Sequence, residues 1–406
     1  MAVKGTPSWL GDQNARTALT LLLEHGPLSR NRISALSAFS KPTASQMVAR
    51  LAERGLIEAV GAEAGGRGRN GTIYAVRKDL VYGVAINVDQ EGVRSTVIDP
   101  LGTDYPIATR VASQMRSDRS AARDVAEAVL NACQEAGVDL ALVQHVCIGV
   151  PSSVDPRTDE LSSVEALPGW SRTRIRSQLE DALHCEVNID NDVNLAAVAE
   201  RRAARFDPAA TVAVFWIGYG IGLALDIAGT VHHGSSGGAG EIGHLPVTRG
   251  LLNGTTESGE LSTDIEDIVG AAAIDRICRD LGEDYGFDDV LSGVPMPSRV
   301  VETLAPRLAL AVIPVLSVLD PDVVVFGGPV GKASGMRLVE ATRTAIRNHT
   351  RWDPLIRMAE VTGEPVITGA GIVTVQRLRD LLAGRASAPS EDDQAKAIAR
   401  SLRTIS

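Results

Sequence analysis

Cysteine is scarce in this chain. The 406 residues hold four, Cys133, Cys147, Cys185 and Cys278, far apart and with no CxxC pair. That excludes a disulfide framework and fits a reducing cytoplasm. Long apolar runs are missing too: none reaches the about 18 residues that a membrane span needs. Met1 to Leu10 holds no apolar h-region, which argues against a secretory signal. Net positive charge is also lacking. At −10 overall, the chain is not a polyanion binder along its whole length.

What is present is unevenly placed. Residues 1–78 hold 11 basic and 5 acidic side chains, a balance of +6, whereas the remainder stands at −16. A basic head precedes an acidic body, so polyanion contact is expected of the head alone.

The head has a readable plan. Ala15, Ala18, Leu19, Leu22 and Leu23 repeat at helical spacing over 13–25, and Gly26-Pro27 stops that helix. Ser29 is an N-cap for a helix with Ile33, Leu36 and Phe39. Ser40 caps a third helix, with Pro42 in its first turn. There Ala44, Val48 and Leu51 form one buried stripe, and Lys41, Thr43, Ser45, Gln46 and Arg50 lie on the other side. Leu56–Val60 and Thr72–Val76 flank a Gly/Arg tip as a β-hairpin. Three short helices and a hairpin make a winged helix-turn-helix, whose third helix enters the major groove of double-stranded DNA. Gln46 suits adenine, Lys41 and Arg50 suit guanine or phosphate, and Arg67 and Arg69 of the tip suit a narrow minor groove. A half-site read by one such head implies a two-fold partner, so a homodimer or homotetramer is expected.

From Leu80 the pattern becomes α/β. Strands are expected at 80–86 and 93–98, a helix at 120–136 and a strand at 143–150. A second set follows at 212–217, 223–227 and 323–326. Two α/β units, each opened by a hairpin, suggest a duplicated fold with a ligand cleft between its halves. Gly238-Ala239-Gly240-Glu241-Ile242-Gly243-His244, Asn191-Asp192-Val193-Asn194 with Glu200, Leu167-Pro168-Gly169-Trp170 and Gly218–Gly222 together resemble the ROK family, which contains sugar-responsive repressors and sugar kinases. The resemblance covers roughly residues 13–385. It implies an actin-like ATPase fold of two α/β lobes behind the winged helix. The expected organisation is head 1–78, first lobe 79–190, second lobe 191–384 and a tail 385–406 with a weak helix near 393–402.

By the same resemblance Asn191, Asp192, Glu241, His244 and Glu260 match sugar-contacting positions, and Asp192 matches the kinases' general base. A helix N-cap is the alternative role for Asp192, and a core histidine for His244. Other family features are absent. The kinases' DxGGT phosphate turn reads Ala85-Ile86-Asn87-Val88-Asp89 here, and Tyr219 replaces the threonine of the second turn. Val88 puts a Cβ where backbone must approach phosphate. The zinc cysteines of the family align with Leu251, Asn253 and Ser258, none a strong zinc ligand. The PGPVD turn reads Pro151-Ser152-Ser153-Val154-Asp155, which is expected to reshape the pocket rim. The expectation is a cytoplasmic repressor of carbohydrate-utilisation genes, not an enzyme and without zinc or ATP, released by a sugar or sugar phosphate. The alternatives are a sugar kinase with a DNA-binding head and a regulator that no longer senses sugar.

Overall fold

The computed structural model describes residues 7–63, 71–112, 119–248 and 261–387. In the head, helix α1 spans Pro7–His25, strand β1 Leu28–Ser29, α2 Arg30–Ser37 and α3 Lys41–Glu53. Strands β2 (Ile57–Glu63) and β3 (Gly71–Val76) follow. Both expected caps form: Ser29 Oγ accepts from the Arg32 N–H and Ser40 Oγ from that of Thr43. Ala44, Val48 and Leu51 are buried with Met47. The three strands pair in the order β1-β3-β2, so the segment after α1 adds a short strand to the wing. Arg67 and Arg69 lie outside the described residues. Ser40→Ala leaves the α3 donors without that oxygen. It is expected to cost about 1 kcal/mol, read as a lowered denaturant midpoint of the full chain.

The body repeats one plan twice. The first sheet contains β4 (Tyr82–Val88), β5 (Gly92–Ile98), β6 (Ala108–Val111), β7 (Val143–Val150) and β8 (Glu186–Asn191), ordered β6-β5-β4-β7-β8. Helices α4 (Ala121–Ala136) and α5 (Ile175–Leu183) cover one face. After α6 (Asp192–Ala204) comes the second sheet, β11-β10-β9-β14-β15. Its strands are β9 (Thr211–Ile217), β10 (Ile221–Ile227), β11 (Thr230–Val231), β14 (Val323–Gly327) and β15 (Ile356–Met358). A separate ribbon pairs β12 (Pro246–Thr248) with β13 (Leu261–Asp264). In each five-stranded sheet a hairpin pairs antiparallel and the next two strands add in parallel.

Among the described residues one helix, Ser298–Leu319, has the length and mean hydropathy of a membrane span without being a continuous apolar run. Arg299, Glu302 and Arg307 interrupt its apolar residues, which is why no continuous run shows. Val300, Val301, Leu304, Leu308 and Val312 pack into the core of the second lobe.

The C-terminal helix, Pro365–Ser387, departs from the expected boundaries. It packs against α6, against β4 and β7 of the first sheet, and against α1. Residues 365–384 therefore complete the first lobe rather than the second, and the helix continues past 384. At Gly369 the approach to α6 is so close that a Cβ would stand 1.9 Å from the Leu195 carbonyl oxygen. Farther along, Leu378, Leu382 and Ala386 share one buried cluster with Leu19, Leu22 and Ile33 of the head. Polar contacts fasten the same joint. Arg379 donates to the carbonyls of Pro100 (2.9 Å) and Leu23 (3.4 Å), and Arg54 to that of Ala386. The weak helix expected near 393–402 lies outside the described residues.

Candidate functional site

Strand β8 delivers Asn191 to the start of α6, and Asn191 is the N-cap. Its side-chain oxygen accepts from the N–H groups of Val193 (2.9 Å) and Asn194 (3.3 Å), and its amide donates to the Ser152 carbonyl at 3.4 Å. Asp192 is therefore not the cap. Its carboxylate, half-buried, also accepts from the Val193 N–H at 2.8 Å. Burial pushes its pKa up to about 7, the negative charges of Asp89 and Glu241 add to this, and the Val193 N–H opposes it. The Asp192 carboxyl thus lies within the fields of two further carboxylates from separate elements.

Glu241 is exposed and stands 3.9 Å from His244, whose side chain is 75% exposed. That exposure removes the core-histidine reading. Glu260 lies outside the described residues, as do Leu251, Asn253 and Ser258. The rim differs from expectation. Ser152 and Ser153 are buried, and Ser153 Oγ donates to Ser162 Oγ at 2.7 Å, while Ser152 Oγ accepts from the Ser163 N–H at 3.2 Å. Their hydroxyls satisfy their own loop and do not project from the rim.

The two hairpin turns also differ from a phosphate cradle. Ala85, Ile86, Asn87 and Val88 lie inside β4, and the β4–β5 turn begins at Asp89. Asp89 Oδ1 accepts from the N–H groups of Glu91 (2.9 Å) and Gly92 (3.1 Å). The carboxylate thereby occupies donors of its own turn. Arg94 pairs with Asp89, with Glu91 at 3.4 Å and with Glu364 at 3.1 Å. In the β9–β10 turn the Gly218 N–H bonds to the Gly220 carbonyl at 2.9 Å. Glu266 lies so close to Gly220 that a Cβ there would meet its carboxylate at 2.7 Å. Each of the two turns thus has backbone donors bonded within the turn and a carboxylate beside it.

The family model described as "ROK family" matches residues 106–376, two thirds of the chain. The chain belongs to the ROK family. The "MarR family" model matches residues 13–68 of its head. A putative xylose repressor from Caldicellulosiruptor sp. is 22% identical over 348 residues, covering 81% of this chain and 86% of that one. A glucokinase from Halalkalibacterium halodurans is 30% identical over 186 residues, covering 41% of this chain and 55% of that one. Among solved structures, a ROK family transcriptional regulator described as a homolog of the E. coli MLC protein superposes with a TM-score of 0.67 at 18% identity. It covers 93% of this chain and 99% of that one. ROK relatives of both kinds, regulators and kinases, match this chain.

Within the ROK body the motif residues divide by role. Glu241 stands beside His244, and its charge reaches Asp192. Glu200 does not join them: it is buried and accepts from the N–H groups of Glu360 (2.8 Å) and Val361 (3.1 Å), anchoring the lead-in to the C-terminal helix. Trp170 donates its indole N–H to Asp124 on α4 at 3.2 Å. Sequence reasoning missed Glu266, and it missed Asp190 with His233. Asp190 accepts from His233 (3.0 Å), from Asn194 Nδ2 (3.0 Å) and from the Asn191 N–H (2.8 Å). This bond raises the His233 pKa. Two acids in the run Asp190-Asn191-Asp192 were the available signal.

In the head of this ROK chain, Lys41 and Gln46 are exposed and Thr43 and Ser45 half-buried on the open face of α3. Arg50 departs from its expected role. Its guanidinium turns to Asp12 of α1 at 3.2 Å, where Arg54 also binds at 3.0 Å. It ties α3 to α1, a bracing contact that the sequence reading did not foresee.

Proposed function

We propose that this ROK protein is a DNA-binding repressor of carbohydrate-utilisation genes. A sugar bound in its non-catalytic body controls its operator affinity. The observation that carries the non-catalytic reading is the Asp89 carboxylate seated on the N–H groups of its own turn. Phosphoryl transfer needs a phosphate cradle and a metal, and here an acid stands in the cradle. The similarity to a putative xylose repressor supports the regulatory reading. The protein would pair with a second copy to read two half-sites, as a homodimer or homotetramer, on double-stranded DNA in the cytoplasm. No zinc and no ATP are required.

A titration of the full-length protein on its operator, with and without sugar, tests the proposal together with a coupled ADP-release assay. Sugar-dependent loss of DNA binding without ADP release is expected. Sugar-dependent ATP turnover would replace this reading with a kinase. On the DNA side, Gln46→Ala is expected to cost about 1–3 kcal/mol on the specific site and to relax preference at one base pair. A selection of bound sequences before and after the substitution reads this directly. An unchanged preference would remove Gln46 from the base-reading set.

A further inference from the structure

The effector proposed above could carry a phosphate or not. We infer that the cleft takes an unphosphorylated sugar and rejects the phosphorylated form of the same sugar. This inference rests on the sugar-responsive reading and narrows it to a ligand class.

Phosphate is held in proteins by unfilled backbone N–H groups at turns and helix N-termini, and by free Arg or Lys. The cleft has each of these devices, and each is already used. At the start of α6 the Val193 and Asn194 N–H groups are taken by Asn191 and Asp192. In the β4–β5 turn the Glu91 and Gly92 N–H groups are taken by Asp89. In the β9–β10 turn Gly218 bonds within the turn, and the Glu266 carboxylate covers Gly220.

The cations are committed as well. Arg94 is bound to three carboxylates and Arg157 at the rim loop returns to Asp155 at 3.6 Å; of the neutral-or-charged imidazoles, His233 bonds to Asp190 at 3.0 Å and His244 stands 3.9 Å from Glu241. What remains open is acceptor oxygen. Asp192 sits within the fields of Asp89 and Glu241. A neutral sugar offers hydroxyl donors to these oxygens. A phosphate group brings about −2 of charge into the same fields, and the turn and helix-start N–H groups that would repay its lost hydration already hold the partners named above.

Calorimetry on the full-length protein with matched pairs tests the inference: xylose and xylose 5-phosphate, glucose and glucose 6-phosphate, N-acetylglucosamine and its 6-phosphate. One free sugar is expected to bind, with its phosphorylated partner about 100-fold weaker. The double variant Asp89→Asn, Glu266→Gln is expected to narrow that gap at least about tenfold, by removing charge repulsion from the phosphate. A phosphorylated sugar that binds more tightly than its free partner would overturn the inference and leave the sugar-responsive reading standing. Binding of neither form in any pair, with operator affinity unmoved, would overturn both.

Discussion

Gly369→Val is expected to destabilise the protein by about 3 kcal/mol, at the upper end of overpacking costs. The position lies where the C-terminal helix crosses α6. A Cβ there would stand 1.9 Å from the Leu195 carbonyl oxygen and 2.5 Å from its carbon. Both are backbone atoms in the middle of α6, so no rotamer change relieves the clash and one helix must move bodily. The midpoint of thermal unfolding should fall by roughly 6–12 °C for a unit of this size. Gly384 in the same helix provides the control of opposite sign. Nothing lies within 4 Å of a Cβ there. Gly384→Ala should therefore gain about 0.5 kcal/mol through helix propensity. Calorimetric melting of both variants checks the pair. A Gly369→Val midpoint equal to that of the parent would mean that the two helices are not held at this crossing.

Asp192→Asn is expected to abolish the effector response while leaving DNA binding intact. Under the proposed function the parent carboxylate accepts from a sugar hydroxyl, and the amide would present a donor on one of the two oxygens' positions. A loss of about 1–3 kcal/mol in effector binding follows, the scale of a hydrogen bond to a charged group. The raised pKa adds a pH signature. Only the ionised form is a full acceptor, so effector affinity should rise from pH 6 to pH 8 through the value of about 7 and then level off. The Asn variant should show no such slope. Stability runs the other way. Folded Asp192 binds its proton more tightly than unfolded Asp192, so its contribution falls as pH climbs from about 3.9 toward 7. The apo variant should accordingly melt above the parent at pH 8. A lower midpoint for the variant at pH 8, or an unaltered response to sugar, would show that this carboxylate does not serve the ligand.

The head was legible nearly to the residue because its signals are local. Ser29 and Ser40 announce their helices, and the stripe Ala44, Val48, Leu51 is buried as its spacing implies. The strand at 143–150 was read with its true bounds for a related reason: it is a short apolar run with clear ends. The helix Pro365–Ser387 was not read at all. It is packed by α6 on one side, the first sheet on another and α1 on a third, so its first half is apolar nearly all round and charged residues such as Arg377 and Asp380 appear only in its second half. Glycines at 369, 371 and 384 lower its helix propensity further. At the cleft, the family motifs singled out Asp192, Glu241 and His244. They left open an N-cap role for Asp192, which falls to Asn191: Asn and Asp are near-equal N-caps and only geometry chooses between neighbours. The brace made by Arg50 was not legible because its partner, Asp12, lies 38 residues away and belongs to another helix.

The course of the C-terminal helix has a consequence for the order in which the protein can be made. Chains emerge from the ribosome N-terminus first, and domains generally fold as they emerge. Here one apolar side of α1 and one face of β4 and β7 are covered by residues 365–387. The basic head, though synthesised within the first 78 residues, stays without this support until residues 365–387 have been translated as well. A nascent chain would thus hold a finished DNA-reading face on an unfinished base for most of its synthesis. Chains truncated before Pro365 would expose the uncovered surface to chaperones and proteases instead of competing for DNA.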